Sequence, residues 1–151
     1  MTASDGIGRI LLPTDFSVCA ERAFSLARGL AASLGAELVL LHVLVETSPF
    51  SEGPFSSERV REVYAAVRRW AEAELAKWAD AARAAGIKVR TDLRVGAPFQ
   101  EIVASATEER ADLVVMGTHG RGGLGRFLLG SVADRVIRLA PCPVLTVRAG
   151  N

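Results

Sequence analysis

Residues Leu113 to Met116 form an apolar run, and the fourteen positions after it, Gly117 to Gly130, hold six of the chain's fourteen glycines. Four apolar residues are too few for a helix and suit a buried strand. Ser131 then stands where a helix cap is expected, just before the periodic residues Val132, Val136 and Ile137. A strand, a glycine-rich loop and a capped helix in that order leave bare backbone N–H groups free to face an anion. Arg121 and Arg126 add positive charge to the loop. The stretch reads as a holder for phosphate.

Three glycine patterns compete for it. Gly120, Gly122 and Gly125 spell G-x-G-x-x-G, but that dinucleotide fingerprint should follow the first strand and be answered by an acidic residue about 20 positions on. Leu145 and Thr146 stand there instead. The Walker A pattern fails because no Gly-Lys-Ser/Thr occurs in the loop. The third pattern fits: Gly117, two residues, Gly120, nine residues, then Gly130 and Ser131.

This spacing resembles the nucleotide-binding signature of the universal stress protein family, in its ATP-binding subgroup. Other segments carry the resemblance over nearly the whole chain: Ile10 to Ser17 (ILLPTDFS), Gly35 to Val43 (GAELVLLHV), Val95 to Ile102 (VGAPFQEI), Ala111 to Gly120 (ADLVVMGTHG) and Ala140 to Arg148 (APCPVLTVR).

Taken in order, Gly8 to Pro13 is a first strand, continuously apolar at Ile10, Leu11 and Leu12. Asp15 and Ser17 start a helix whose stripe (Ala20, Phe24, Ala27, Leu30, Ala31, Leu34) stops at Gly35. Glu37 to Val45 is a second strand. Glu46 to Ser57, with Pro49, Gly53, Pro54, Phe50 and Phe55, has no pattern and reads as a surface loop. Glu58 to Ala85 is a long helix with one apolar face (Val60, Val63, Val67, Trp70, Leu75, Trp78, Ala82), which predicts both tryptophans in the core. Ile87 to Arg94 alternates, as an edge strand does. Pro98 opens a short helix with Ile102, Val103 and Ala106 inward. Leu113 to Met116, Ser131 to Leu139 and Val144 to Arg148 supply the fourth strand, the last helix and the fifth strand.

Five strands alternating with four helices predict one α/β domain over residues 1–151, a Rossmann-like parallel sheet with helices on both faces. The strand pattern alone allows order 3-2-1-4-5 or the flavodoxin-like 2-1-3-4-5. The exposed third strand favours the first, which is also what the resemblance implies. The switch point then lies between strands one and four, at their carboxyl ends. Pro13, Thr14 and Asp15 meet the glycine loop there.

Composition sets bounds on function. A net charge of +1 argues against a nucleic-acid binder working by charge, and no apolar run approaches a membrane span. The start of the chain does not read as a signal peptide. Cys19 and Cys142 lie far apart with no C-x-x-C, as idle thiols of a cytoplasmic protein do. Two histidines exclude a multi-histidine metal site.

For the candidate site, Gly117 and Gly120 are expected to let backbone approach phosphate without a Cβ. Gly130 and Ser131 begin the last helix and favour negative charge, or merely cap it. Asp15 faces ribose or a metal, or caps the first helix; the resemblance implies the nucleotide, with Pro13 and Thr14 on the same wall. Val43 would offer backbone groups to the adenine edge, and Met116 and Val132 would pack beside base and sugar or fill the core. His119 is a loop residue near phosphate, without the partners of a catalytic histidine, and His42 reads as a core histidine. Arg121 is a counter-charge for phosphate or points to solvent. The resemblance implies ATP as ligand, with or without Mg²⁺, a nucleotide-dependent stress-response role, and a homodimer through the fifth strand at Val144, Leu145 and Val147. A slow ATPase or phosphoryl transferase using Asp15 and Ser131, or a dimeric scaffold with a vestigial site, are the alternatives.

Overall fold

In the computed structural model the chain is described over residues 6–45, 57–119 and 129–149. Residues 46–56 of the loop expected from Glu46 to Ser57, and the site residues Gly120 and Arg121, fall outside them. The elements are β1 (Arg9–Pro13), α1 (Val18–Leu34), β2 (Glu37–Val45), α2 (Glu58–Ala84), β3 (Val89–Gly96), α3 (Pro98–Glu108), β4 (Leu113–Gly117), α4 (Ser131–Leu139) and β5 (Val144–Val147).

All strands are parallel, in the order β3-β2-β1-β4-β5. The continuous apolar runs are explained by cover on both faces. Ile10 and Leu12 pack with α1 and α2, whereas Leu11 packs with α3 and α4. Ile10, Leu11, Leu12, Leu38, Leu40 and Leu41 are fully buried. On α1 the inward face is mostly alanine (Ala20, Ala23, Ala27, Ala31), which lets the helix lie close on the sheet. Ser17 caps α1 through its side chain, accepting from the Ala20 N–H, and Gly35 ends it at φ 66°, where a side chain would be strained.

β3 is an edge strand as expected, but it runs two residues later than the alternation implied, because it pairs with β2 from Leu38↔Val89 to Val45↔Gly96. Thr91 faces out and Asp92 and Arg94 are half-buried, held by an ion pair at 2.7 Å. On α3 the fully buried Ser105 takes the inward place given to Val103. No described helix is long and apolar enough to cross a membrane. Both cysteines are free thiols, and burial, with the negative charge of Asp112, raises the Cys142 thiol above its ordinary range.

The largest departure is α2. Its buried residues begin only at Ala71 and continue through Leu75, Trp78, Ala79 and Ala82. Val60, Val63, Val67 and Trp70, expected in the core, are 40%, 60%, 46% and 42% exposed. The reason is length. A helix of 27 residues spans about 40 Å at roughly 1.5 Å per residue, more than the roughly 30 Å of the nine-residue β2. The amino-terminal half of α2 therefore overhangs the carboxyl ends of the strands. Trp78 is core; Trp70 is not.

At the opposite end, Glu37 is a buried carboxylate among cations: Arg90 Nε donates to it at 2.7 Å and Arg9 Nε at 3.0 Å. Burial pushes Glu37 up, but the hydrogen bonds from Arg90 and Arg9, with their charges, more than offset this and hold it below the usual carboxylate range. A lowered folded-state value means that this stabilisation is complete above the unfolded value of 4.5 and is lost as pH falls through the folded one. Glu37→Gln is accordingly expected to cost about 2 kcal/mol at pH 7 and to flatten the decline in urea-unfolding stability below about pH 4.5. An acid limb identical to wild type would refute it.

Candidate functional site

The carboxyl end of β1 turns through two side-chain-to-backbone hydrogen bonds. Thr14 Oγ1 accepts from the Phe16 N–H (2.9 Å), and Asp15 Oδ1 accepts from the Ser17 N–H (3.0 Å). These bonds hold Phe16 at φ 61°, a left-handed conformation costly for a bulky residue. The strain is offset by where it sends the ring. Phe16 lies 4.8 Å from His42, 5.3 Å from Trp70 and 5.4 Å from Trp78, centroid to centroid. His42 Nδ1 donates to the Thr14 carbonyl at 2.7 Å, which fixes its tautomer because a carbonyl only accepts. Sequence reasoning missed Phe16, since it lies between the strand run and the helical stripe. Its only signal is an aromatic residue directly after Thr-Asp.

The second half of the site is the end of β4. Thr118 N–H donates to the Val147 carbonyl (2.9 Å), and the Thr118 carbonyl accepts from the Gly130 N–H (2.7 Å), clasping the start of α4 to the end of β4. The helix cap is Gly130, not Ser131, and no side chain caps the helix. The first N–H groups of α4 therefore have no intrahelical acceptor. Thr118 Oγ1 bonds His119 Nδ1 at 2.8 Å, and His119 Nε2 is buried with no partner among the described residues.

Both described glycines of the loop serve close packing, a reason for Gly117 that the sequence reading did not foresee. A Cβ on Gly117 would meet Cys19 Sγ at 2.8 Å and the Cys19 carbonyl carbon at 3.2 Å, so the missing side chain makes room for α1. A Cβ on Gly130 would meet the Thr118 carbonyl oxygen at 2.8 Å. There the missing side chain makes room for the clasp.

These pieces border one cleft of about 900 Å³ at the carboxyl ends of β1, β2 and β4. Pro13, Thr14, Asp15, Val43, Met116, Gly117, His119, Gly130, Ser131 and Val132 all line it. Met116 is also buried core, and Val132 packs against the α3–α4 core. Sequence reasoning missed a whole wall: Val60, Val63, Val67 and Trp70 of α2, with Tyr64 beside them. Among the described residues no group of three or more His, Cys, Asp or Glu is placed to hold a metal ion.

Comparison with known proteins follows the same outline. The model of the universal stress protein family matches residues 6–148. Universal stress protein MJ0531 of Methanocaldococcus jannaschii is 40% identical over 150 residues, covering 93% of this chain and 81% of the relative. The solved structure of MJ0577 from the same organism superposes with a TM-score of 0.86 at 34% identity, covering 96% of this chain and 98% of that one. A universal stress protein solved in complex with cAMP superposes with a TM-score of 0.70 at 28% identity, covering 97% and 100%. With the strand order, the cleft at its switch point and this agreement along almost its full length, the chain belongs to the universal stress protein family.

Proposed function

We propose that the cleft binds an adenine nucleotide, ATP with or without Mg²⁺, and that the protein is a nucleotide-dependent binding module of the stress response. The observation that carries this is the Thr118–Gly130 clasp. It sets the amino terminus of α4, where Gly130 is the cap and gives no side-chain hydrogen bond, and His119 Nε2, without a partner among the described residues, on one wall of a cleft at the sheet's switch point. With the Thr118 hydroxyl donating to Nδ1, Nε2 carries the proton and donates to a phosphate oxygen. Ser131 adds its hydroxyl, and Asp15, which lines the same cleft, is assigned to the ribose or, together with Ser131, to Mg²⁺ where the ion is bound. The cAMP complex of a relative supports an adenine nucleotide as the ligand class.

Isothermal titration of ATP, ADP and AMP, each with Mg²⁺, tests the reading. Wild type is expected to bind, and His119→Ala to bind about tenfold or more weakly, the worth of one hydrogen bond to a charged group. Absence of heat with all three nucleotides would sink the proposal.

We also propose a homodimer through β5. Among the described strands β5 pairs only with β4, and Leu145, flanked by the half-buried Val144 and Val147, is 37% exposed. An open apolar edge of this kind is a template on which a second copy can pair. Light scattering at micromolar concentration is expected to give twice the chain mass; a monomer would refute the pairing.

A further inference from the structure

Thr118 is buried at the phosphate end of the cleft, and its hydroxyl stands between two groups with which it can exchange protons. Its backbone is held on both sides, by the Val147 carbonyl at 2.9 Å and the Gly130 N–H at 2.7 Å, which fixes where the side chain starts. Oγ1 lies 2.8 Å from His119 Nδ1 and 4.0 Å from Cys19 Sγ. Cys19 donates its own proton to the Val147 carbonyl at 3.2 Å, which leaves the sulfur lone pairs free to accept. A hydroxyl can both donate and accept. While the His119 ring is neutral, the hydroxyl donates to Nδ1 and the ring proton sits on Nε2. A second proton on the ring goes to Nδ1. The hydroxyl then turns, accepts from Nδ1–H and gives its own proton to Cys19. Nε2 is a donor in both states, and the ring keeps its place. Among the described residues lining the cleft, the other titratable or charged groups are Asp15, His42 and Arg59. Asp134, in the first turn of α4, is tied to Arg138 at 3.3 Å, and Arg148 follows Val147. Arg121 and Arg126 lie outside the described residues and, as arginines, stay charged throughout.

We propose that the Thr118–His119 pair makes nucleotide binding respond to pH, the phosphates being held more tightly as the medium becomes acidic. The inference rests on the nucleotide reading above and goes beyond it in naming what regulates the site. A phosphate oxygen beside Nε2 favours the charged ring, so the complex takes up a proton that the free protein does not hold. Affinity therefore rises as pH falls through the titration of His119 in the complex, and levels off once the free protein is protonated too. Histidine side chains make this change between about pH 5 and 8, above the range in which Glu37 loses its charge and the fold weakens. Thr118 is the positioning residue of the device. Without its oxygen, the Nδ1–H of the charged ring would have no acceptor among the described residues, and the cost of a buried donor left unmet offsets the gain.

The test is a calorimetric titration of ATP with Mg²⁺ between about pH 8 and about pH 6, in two buffers of different ionisation heat so that proton uptake is read directly. The proteins are wild type, His119→Gln, Thr118→Val and Thr118→Ser. Glutamine keeps a donor but does not titrate, so its pH profile carries the ligand's own titration and that of His42. From the higher pH to the lower, wild-type affinity is expected to rise about tenfold more than that of His119→Gln, the gain of one charge-assisted hydrogen bond over a neutral one. Wild type is also expected to take up more protons on binding than His119→Gln does. Thr118→Val is expected to lose most of the extra rise and Thr118→Ser to keep it. If ATP binds and wild type shares its pH profile with His119→Gln, the inference is overturned while the nucleotide site stands. An extra rise that survives in Thr118→Val overturns it as well. The wild-type rings give a reading that needs no variant. With pH raised until their signals stop moving, nitrogen NMR is expected to show His119 protonated on Nε2 and His42, which donates to the Thr14 carbonyl, on Nδ1. A neutral His119 protonated on Nδ1 overturns the inference. If ATP binds at no pH, both readings fall.

Discussion

Alanine at position 16 is expected to lower the unfolding free energy by about 3–5 kcal/mol, the usual cost of removing a buried phenyl ring. Phe16 is 9% exposed, and its ring meets Trp70, Trp78 and His42. Those contacts join the turn after β1, the end of β2 and both halves of α2. Trp78 stacks in turn on Phe24 of α1 at 4.6 Å, so the cavity would open where four elements meet and no single neighbour can fill it. The backbone strain at φ 61° persists in the alanine variant, since only glycine relieves it. For a chain of this size the loss corresponds to a melting temperature lower by about 10 °C. Thermal and urea unfolding followed by tryptophan fluorescence read both quantities. A midpoint within a degree of wild type would show that the ring does not hold the turn.

Gly130→Ala is the substitution expected to act most strongly on ligand binding. The added carbon would sit 2.8 Å from the Thr118 carbonyl oxygen, a backbone atom fixed by its place at the end of β4. Relief requires the start of α4 to move away, which lengthens the 2.7 Å Gly130–Thr118 hydrogen bond and separates the helix terminus from His119. Overpacking of this kind costs about 1–3 kcal/mol. If the cost falls on the bound state, nucleotide affinity drops about 10- to 100-fold. Comparing ATP titrations of wild type and Gly130→Ala, alongside their melting temperatures, separates lost affinity from lost stability. Equal affinities would mean that the clasp does not organise the phosphate end.

Gly117 needs a different experiment. Its Cβ would be directed at Cys19 and not toward a ligand, so a bulky residue there injures the packing of α1 on β4 before it reaches the cleft. Lost binding in such a variant would say little about phosphate.

Much of this was legible in the chain. Strands β2 and β5 and helices α2 and α4 fall within a residue or so of their predicted ends, because apolar period, glycine stops and the proline at the start of α3 are local signals. The placement of β3 at an edge followed from its alternating charge. The ten described candidate residues all reach one cleft because strand order brings the ends of β1 and β4 together.

What the sequence determined by itself is the set of elements, their order, the both-face burial of the central strands and the place of the glycine loop between β4 and α4. Each of these is written in nearest-neighbour patterns or in the handedness of the crossovers. What only the tertiary structure decided depends on distances between segments far apart in the chain. The stripe on α2 is continuous in period, yet half of it became core and half cleft wall because the helix is longer than the strands beneath it. Gly130, as the cap, makes room for a carbonyl and Gly117 for a cysteine; neither neighbour is visible in the spacing of the glycines. Phe16 belongs to no periodic pattern, and its importance arises from a strained turn that aims it between two tryptophans. Periodicity reports which face of an element is apolar; only the packed molecule shows what that face meets.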